Sequence, residues 1–539
     1  MLGIAIRLES HQGVSELNDK VNMLEFFSSQ VFPELQDTNH SSRPMVKATA
    51  LKFVCTFRKQ FSKDQLIQLL PLLIAHLGSP NVVVHTLAAY GIERILMTTE
   101  GDVAKHYKIS RVELQPLLQG LFTGLFQIID TAELNENEHV MKCTMRTLSR
   151  AGEDVIPVTD IVFQKLSAAL ERVCKNPRNP SYNHYLFESI AALVRNVCSK
   201  DPSQTSQLEV LLFPPFQTVL QMDISEFTPY VFQVLAQLLE YRPASAGLGE
   251  AYTSLFQPLL HTSPWEKKGN VPGLTRLIGA YLKKAAPEVV SQLLPILGIF
   301  QKLLASKSTE AQACELLAAL TTYVQKENLA QYQQTIFNLM LTKQSKGKSS
   351  KFSILITKYL SLFVGLYGGE AFFDCMNRMG AGVFISVVAQ VWIPNAKSAT
   401  QSRLDAKIQV TGLTRLLCES PALLGDDSGK QLWAQIFATT VGILTSNTFS
   451  SEEVSTEEPD IIEIGYDSTF SQLSLATKKP DDPFETVVDP VATFTQSLQN
   501  FSASSPGVLS PIIQLAVAND PKLSSGFQTL CQQTGVSLL

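Results

Sequence analysis

With 539 residues, 45% of them hydrophobic and only 17% charged, the chain is too apolar for wholesale disorder and too long for one compact core. A net charge of -5 gives no bulk positive field for nucleic acid, and no apolar run approaches the roughly 18 residues needed to span a bilayer. The charge is uneven: residues 431–539 hold 3 Lys/Arg against 12 Asp/Glu, so the last fifth is the acidic end.

Leu2, Ile4, Ile6 and Leu8 open the chain with no polar cap around them. Natural solenoids end in a repeat with a polar outer face, so residues 1–14 read as the end of a helix in a truncated repeat. Self-association through that uncapped edge is expected.

Residues 15–449 read as repeated helix hairpins. The clearest lies between Val155 and Lys200: Val162, Leu166, Ala169 and Val173, then Leu186, Ile190, Leu193 and Val197, recur at +4, +3, +4, one stripe per helix. Between the stripes, Lys175-Asn-Pro-Arg-Asn-Pro180 cannot continue a helix. A hairpin with two apolar stripes cannot bury both alone, so it needs neighbours of its own kind. Second-helix starts are predicted after Ser42, Asn81, Asn137, Ser181, Ser225, Asn270, Ser308, Ser350 and Ser402, all good N-cap residues. Their mean spacing of about 45 residues fits HEAT or armadillo repeats. Thr99–Lys108 and Leu366–Gly382 read as extra loops, and nothing reads as a strand.

The pattern breaks after Phe449. Residues 450–485 form an acidic insertion in which Glu452, Glu453, Glu457, Glu458, Asp460, Glu463 and Asp467 alternate with Ile461, Ile462, Ile464, Tyr466 and Phe470. Residues 486–539 then give short closing helices. The predicted fold is all-α, a right-handed superhelical solenoid of about nine to ten HEAT-type antiparallel hairpins.

Catalytic chemistry has no foothold in this pattern. The eight histidines form no H-x-x-x-H or H-E-x-x-H pair, the eight cysteines no C-x-x-C, and there is neither a phosphate loop nor a G-x-S-x-G. No cofactor, metal site or enzyme activity is predicted. Two partner-binding surfaces are. One is the acidic run from Glu452 to Asp467, suited to basic groups. The other is a ladder of Arg94, Arg146, Arg195 and Arg276, with Arg415, on successive second helices. A structural use of those arginines is the competing reading.

Particular segments resemble a known family. Asn179-Pro-Ser-Tyr-Asn-His-Tyr-Leu-Phe-Glu188, Glu226-Phe-Thr-Pro-Tyr-Val-Phe-Gln233, Trp265-Glu-Lys-Lys-Gly-Asn-Val-Pro272, Phe300-Gln-Lys-Leu-Leu-Ala-Ser306 and Gly465-Tyr-Asp-Ser-Thr-Phe-Ser-Gln-Leu473 are similar, in order and spacing, to the C-terminal half of the cellular apoptosis susceptibility family of nuclear exportins. That resemblance implies a non-catalytic HEAT-repeat karyopherin that re-exports importin-α with Ran-GTP and shuttles between nucleus and cytoplasm. It also implies that the principal Ran-binding repeats lie outside this chain, and that neither membrane nor nucleic acid is a partner. The alternative is a HEAT scaffold for a multiprotein complex outside transport.

Overall fold

The structure, a computed structural model, describes residues 22–40, 42–100, 106–131, 136–347, 349–446, 472–518 and 520–537, and the backbone of 6–8 and 15–17. It divides into two compact units: Met1–Ala246 with Ile464–Lys478, and Gly247–Glu463 with Lys479–Leu539.

In the first unit a helical stretch over residues 23–36 is followed by α1 (Pro44–Phe57), α2 (Lys63–Leu77), α3 (Val82–Leu96), α4 (Leu118–Asp130), α5 (Glu138–Ala151), α6 (Thr159–Lys175), α7 (Pro180–Cys198), α8 (Thr205–Gln221) and α9 (Thr228–Tyr241). Residues 23–36 pair with α1, and α2/α3, α4/α5, α6/α7 and α8/α9 are hairpins. The second helices α1, α3, α5, α7 and α9 pack in order against one another, and the first helices α2, α4, α6 and α8 form the other layer. Both predicted stripes of α6 and α7 are buried from Val162 to Val197, each Leu or Ile contributing about 1.5–3 kcal/mol.

The caps explain why the repeats start where they do. Asn81, Asn137 and Asn179 each accept backbone N–H groups of the first turn through Oδ1. Two of the three also reach back one repeat, Asn137 Nδ2 to Thr86 Oγ1 (2.7 Å) and Asn179 Nδ2 to the Glu136 carbonyl (3.0 Å). One residue type therefore stops the loop, starts the helix and fixes the stacking distance. Asn196 repeats the tie further along α7, donating to the Leu148 carbonyl at 2.7 Å.

The second unit contains α10 (Gly249–Leu259), α11 (Val271–Val289), α12 (Leu293–Ala305), α13 (Glu310–Tyr323), α14 (Gln333–Gly347), α15 (Ser350–Tyr367), α16 (Gly369–Met379), α17 (Arg403–Glu419), α18 (Asp427–Leu444), α19 (Pro490–Ser504), α20 (Leu509–Ala518) and α21 (Pro521–Thr534). Its second helices α11, α13, α15, α17 and α19 again pack in sequence order. The first of the closing helices, α19, packs on α17 and so continues the layer of second helices, and the acidic stretch lies in the chain between α18 and α19.

Several expectations change. Ile6–Leu8, expected at the end of a helix, instead form a short strand, β1, whose backbone pairs antiparallel with β2 (Ser15–Leu17). Thr99–Lys108 holds a second short pair, β3 (Thr99–Glu100) with β4 (His106–Tyr107). Leu366–Gly382 is not a loop but α16, bracketed by Gly368 (φ 99°) and Gly380 (φ 154°), whose backbone only glycine adopts without strain. Two second helices start two residues off the expected position, α7 at Pro180 rather than after Ser181 and α9 at Thr228 rather than after Ser225, and α1, α13 and α15 start one residue off, at Pro44, Glu310 and Ser350. The stretch Lys268–Ala305 is long and apolar enough by composition to cross a membrane, but non-helical Ala285 and then Pro287 break it, and its two halves serve different hairpins.

Candidate functional site: the second helices and a returning strap

No group of three or more His, Cys, Asp or Glu that could hold a metal is present among the described residues. The cysteines are free and six of the eight are buried, and burial holds the Cys55 thiol up at about 12, far from thiolate chemistry. Histidines on apolar faces are structural: His76 Nε2 meets the Leu35 carbonyl at 3.0 Å and His85 Nδ1 the Ser79 carbonyl at 3.0 Å.

The arginines predicted as a ladder occupy different environments. Arg146 on α5 is 3% exposed, and its Nε lies 3.4 Å from Glu93 of α3, which is also buried. It ties neighbouring repeats together and presents nothing to a partner. Arg94, in the last turn of α3, is half-buried beside Tyr90, and its buried Nε has no hydrogen-bond partner. Arg195 sits half-buried in the last turn of α7, and Arg276 half-buried on α11 in the second unit. Arg415 bonds Glu419 at 2.7 Å and the carbonyls of Gly365 and Leu366 at 2.9 and 3.2 Å. Arg94 and Arg195 lie where cations complement helix dipoles, and Arg415 satisfies C-terminal carbonyls of α15. The acidic residues Glu452, Glu453, Glu457, Glu458, Asp460, Glu463 and Asp467 lie outside the described residues.

A feature that sequence reasoning missed begins just after them. Residues 472–478 return to the first unit as a strap laid on α7 and α9, folded once where the Thr477 N–H meets the Ser474 carbonyl at 3.2 Å. Leu473, Leu475 and Ala476 are buried. The Leu473 N–H donates to Gln233 Oε1 at 2.8 Å, and the N–H groups of Ser474 and Leu475 donate to the two carboxylate oxygens of Glu188 at 2.6 and 2.9 Å. Gln237 Nε2 donates to the Leu475 carbonyl at 3.3 Å. Sequence separations of 238 to 287 residues leave no local signal for such pairing. The one clue was a carboxylate, Glu188, between Leu186 and Ile190 in an apolar helix.

Glu188 is 2% exposed, and burial pushes its carboxyl up to about 7, while the strap's N–H groups pull in the opposite direction. His184, one turn earlier, shares a hydrogen bond with Tyr230 (3.1 Å), and burial lowers it to about 4, so it stays neutral at physiological pH. A raised carboxyl pKa means its stabilising share is complete below the unfolded value near 4.5 and is lost as pH rises through 7. Glu188→Gln is therefore expected to flatten the pH dependence of unfolding between about 4.5 and 7 by up to about 3 kcal/mol. Chemical denaturation at several pH values checks this; an unchanged profile contradicts it.

The following residues bind the second unit in the same manner. Asp481 pairs with Lys283 at 2.6 Å and accepts the Tyr323 hydroxyl at 2.9 Å, and Asp482 pairs with Lys407. Phe484 lies on Gly365 of α15 so closely that a Cβ there would sit 2.4 Å from its ring. Gly365→Ala, which in an open helix gains up to about 1 kcal/mol, is expected here to lower the melting temperature by unseating Phe484. An unchanged or raised midpoint in a thermal melt contradicts this.

The comparisons with known proteins give this arrangement its family. The family described as CAS/CSE protein, C-terminus, matches residues 93–524, and the one described as Cse1 matches residues 1–92. The chain belongs to the CAS/CSE family. Its relatives include Exportin-2 of Danio rerio, 34% identical over 504 residues, and Exportin-2 of Homo sapiens, 32% identical over 504 residues. Each alignment covers 92% of this chain and 51% of the relative. The chain thus spans about half the length of the curated relatives it matches. Residues 1–92 match the Cse1 family and not the one described as the C-terminus, which corrects the resemblance to a C-terminal half over that stretch. Among solved structures, the exportin Cse1 in its cargo-free, cytoplasmic state aligns with a TM-score of 0.79 at 24% identity, over 96% of this chain and 52% of that one. Importin beta aligns with a TM-score of 0.61 at 11% identity, over 94% of this chain and 58% of that one. Both likenesses show the fold, an all-α HEAT-type solenoid.

Proposed function

We propose that this chain is a non-catalytic part of a nuclear export receptor, which binds importin-α for return to the cytoplasm and shuttles between the two compartments. The observation that carries this reading is the family match over residues 93–524, joined to identity of 32–35% with several Exportin-2 proteins. Mechanically, each repeat contacts only its neighbours, so small rotations add along a unit, and a partner that prefers one curvature shifts the population toward it. Ran-GTP is expected to add little to cargo affinity for this chain, in line with what the resemblance implies about the family's Ran-binding repeats. The acidic run from Glu452 to Asp467 is the docking surface for basic groups of the partner, steering encounter and conferring salt dependence.

Charge reversal at Glu457 and Glu458 is expected to weaken capture of importin-α in a pull-down by about tenfold, without moving the melting temperature. Unchanged capture by the reversed variant would remove the acidic run from the interface. Absence of capture by the wild-type chain, with or without Ran-GTP, would overturn the export reading for this chain.

A further inference from the structure

We propose that the face of α7 and α9 carrying Glu188, Gln233 and Gln237 is a peptide-binding groove that takes a turn-forming partner segment, two leucine-sized residues flanking one residue and then a small one, in exchange for the chain's own residues 472–478. Three observations converge on it.

The first is how the strap is held. Three consecutive N–H groups and one carbonyl are read by side chains of two neighbouring repeats: Gln233 takes Leu473, Glu188 takes Ser474 and Leu475, and Gln237 gives to Leu475. Every one of these bonds is to main chain, so none depends on which residue the segment carries. Specificity is left to the seats of Leu473, Leu475 and Ala476, all buried. Main-chain bonds for affinity, with apolar seats for selection, are a general means by which proteins take peptide segments.

The second is that the groove requires an occupant. Glu188, Gln233 and Gln237 are all buried beneath the strap. With the strap gone, the Glu188 carboxylate loses two donors, a state that buried polar groups avoid.

The third is that the strap is an incomplete ligand. Gln237 divides its amide between the Ala191 carbonyl at 3.0 Å and the Leu475 carbonyl at 3.3 Å, and its Oε1, also buried, accepts no hydrogen bond. A segment that brings a donor to that oxygen satisfies a group the strap leaves open. Because the strap is tethered, it competes at an effective concentration on the order of millimolar. Weak free peptides are therefore excluded, and the groove opens to a segment delivered by a partner that also binds elsewhere on the chain.

The test uses the full chain. Leu473→Asp with Leu475→Asp empties the seats, and a fluorescein-labelled peptide of residues 472–479 is titrated by anisotropy. The expected result is binding at least about tenfold tighter to the double variant than to wild type, the gain being lost when Gln237→Ala is added. Equal binding to wild type and variant, or no binding to a folded variant, overturns the proposal. A second measurement on the unaltered chain guards against a variant that fails to fold. Amide hydrogen exchange at Ser474 and Leu475 is expected to run at least about tenfold faster than at the core amides of α7. Exchange of those two amides only together with α7 would make the strap a fixed part of the core and overturn the proposal.

Discussion

Arg146→Ala is expected to lower the stability of the first unit by about 3–5 kcal/mol, the cost of leaving a buried charge without its partner. Glu93 is 2% exposed, and its Oε2 already lacks a hydrogen-bond partner, so the guanidinium of Arg146 is the counter-charge that keeps the carboxylate tolerable between α3 and α5. Replacing both, with Glu93→Gln and Arg146→Met, should restore most of the loss, because the desolvation penalty disappears along with the pair. Denaturant titration of the single and double variants reads this as a coupling energy. Additive losses, with the double substitution costing the sum of the two single ones, would show that the pair does not act as a unit.

Trp433→Ala should be as damaging to the second unit, at about 3–5 kcal/mol. The indole is fully buried on α18, donates Nε1–H to the Leu417 carbonyl of α17 at 3.1 Å and stacks on Phe437 with centroids 5.5 Å apart. Phe437 in turn meets Phe527 of α21 at 4.9 Å and Phe494 of α19 at 6.1 Å. Removing the indole leaves a cavity at the root of this cluster and an unpaired carbonyl at the end of α17. Loss of the closing helices is then expected before the rest of the unit melts, seen as early proteolysis after α18. A variant whose closing helices remain protected up to the main transition would contradict this.

The repeats were legible because their physics is local. A stripe every three to four residues, an asparagine that caps one helix and reaches the repeat before it, and a proline that stops the helix ahead all lie within one 45-residue window. The long interval between the predicted starts at Ser350 and Ser402 suggests an extra loop over Leu366–Gly382, whereas Gly368 and Gly380 mark the turns at the two ends of a helix within it. The arginines were legible as a series but not in their use. Position near a helix end, as at Arg94 and Arg195, is common to a binding ladder and to dipole complementation, whereas Arg146 lies mid-helix and is buried against Glu93. The strap was the least legible element, since Gln233 and Gln237 look like ordinary polar positions until residues 472–478 lie across them. Glu188 is the one acidic residue of its helix, and it is buried. A buried acid of that kind marks a long-range partner better than any periodicity does.

Under the proposed function this chain carries part of an importin-α binding surface, and Ran-GTP adds little to its affinity. Sedimentation velocity of the purified chain with importin-α, in the presence and absence of Ran-GTP, tests this most directly and reports self-association in the same run. The account predicts a weak complex whose affinity changes by less than about threefold, under about 1 kcal/mol, when Ran-GTP is added. No complex in either condition, or one that forms only with Ran-GTP, would contradict it.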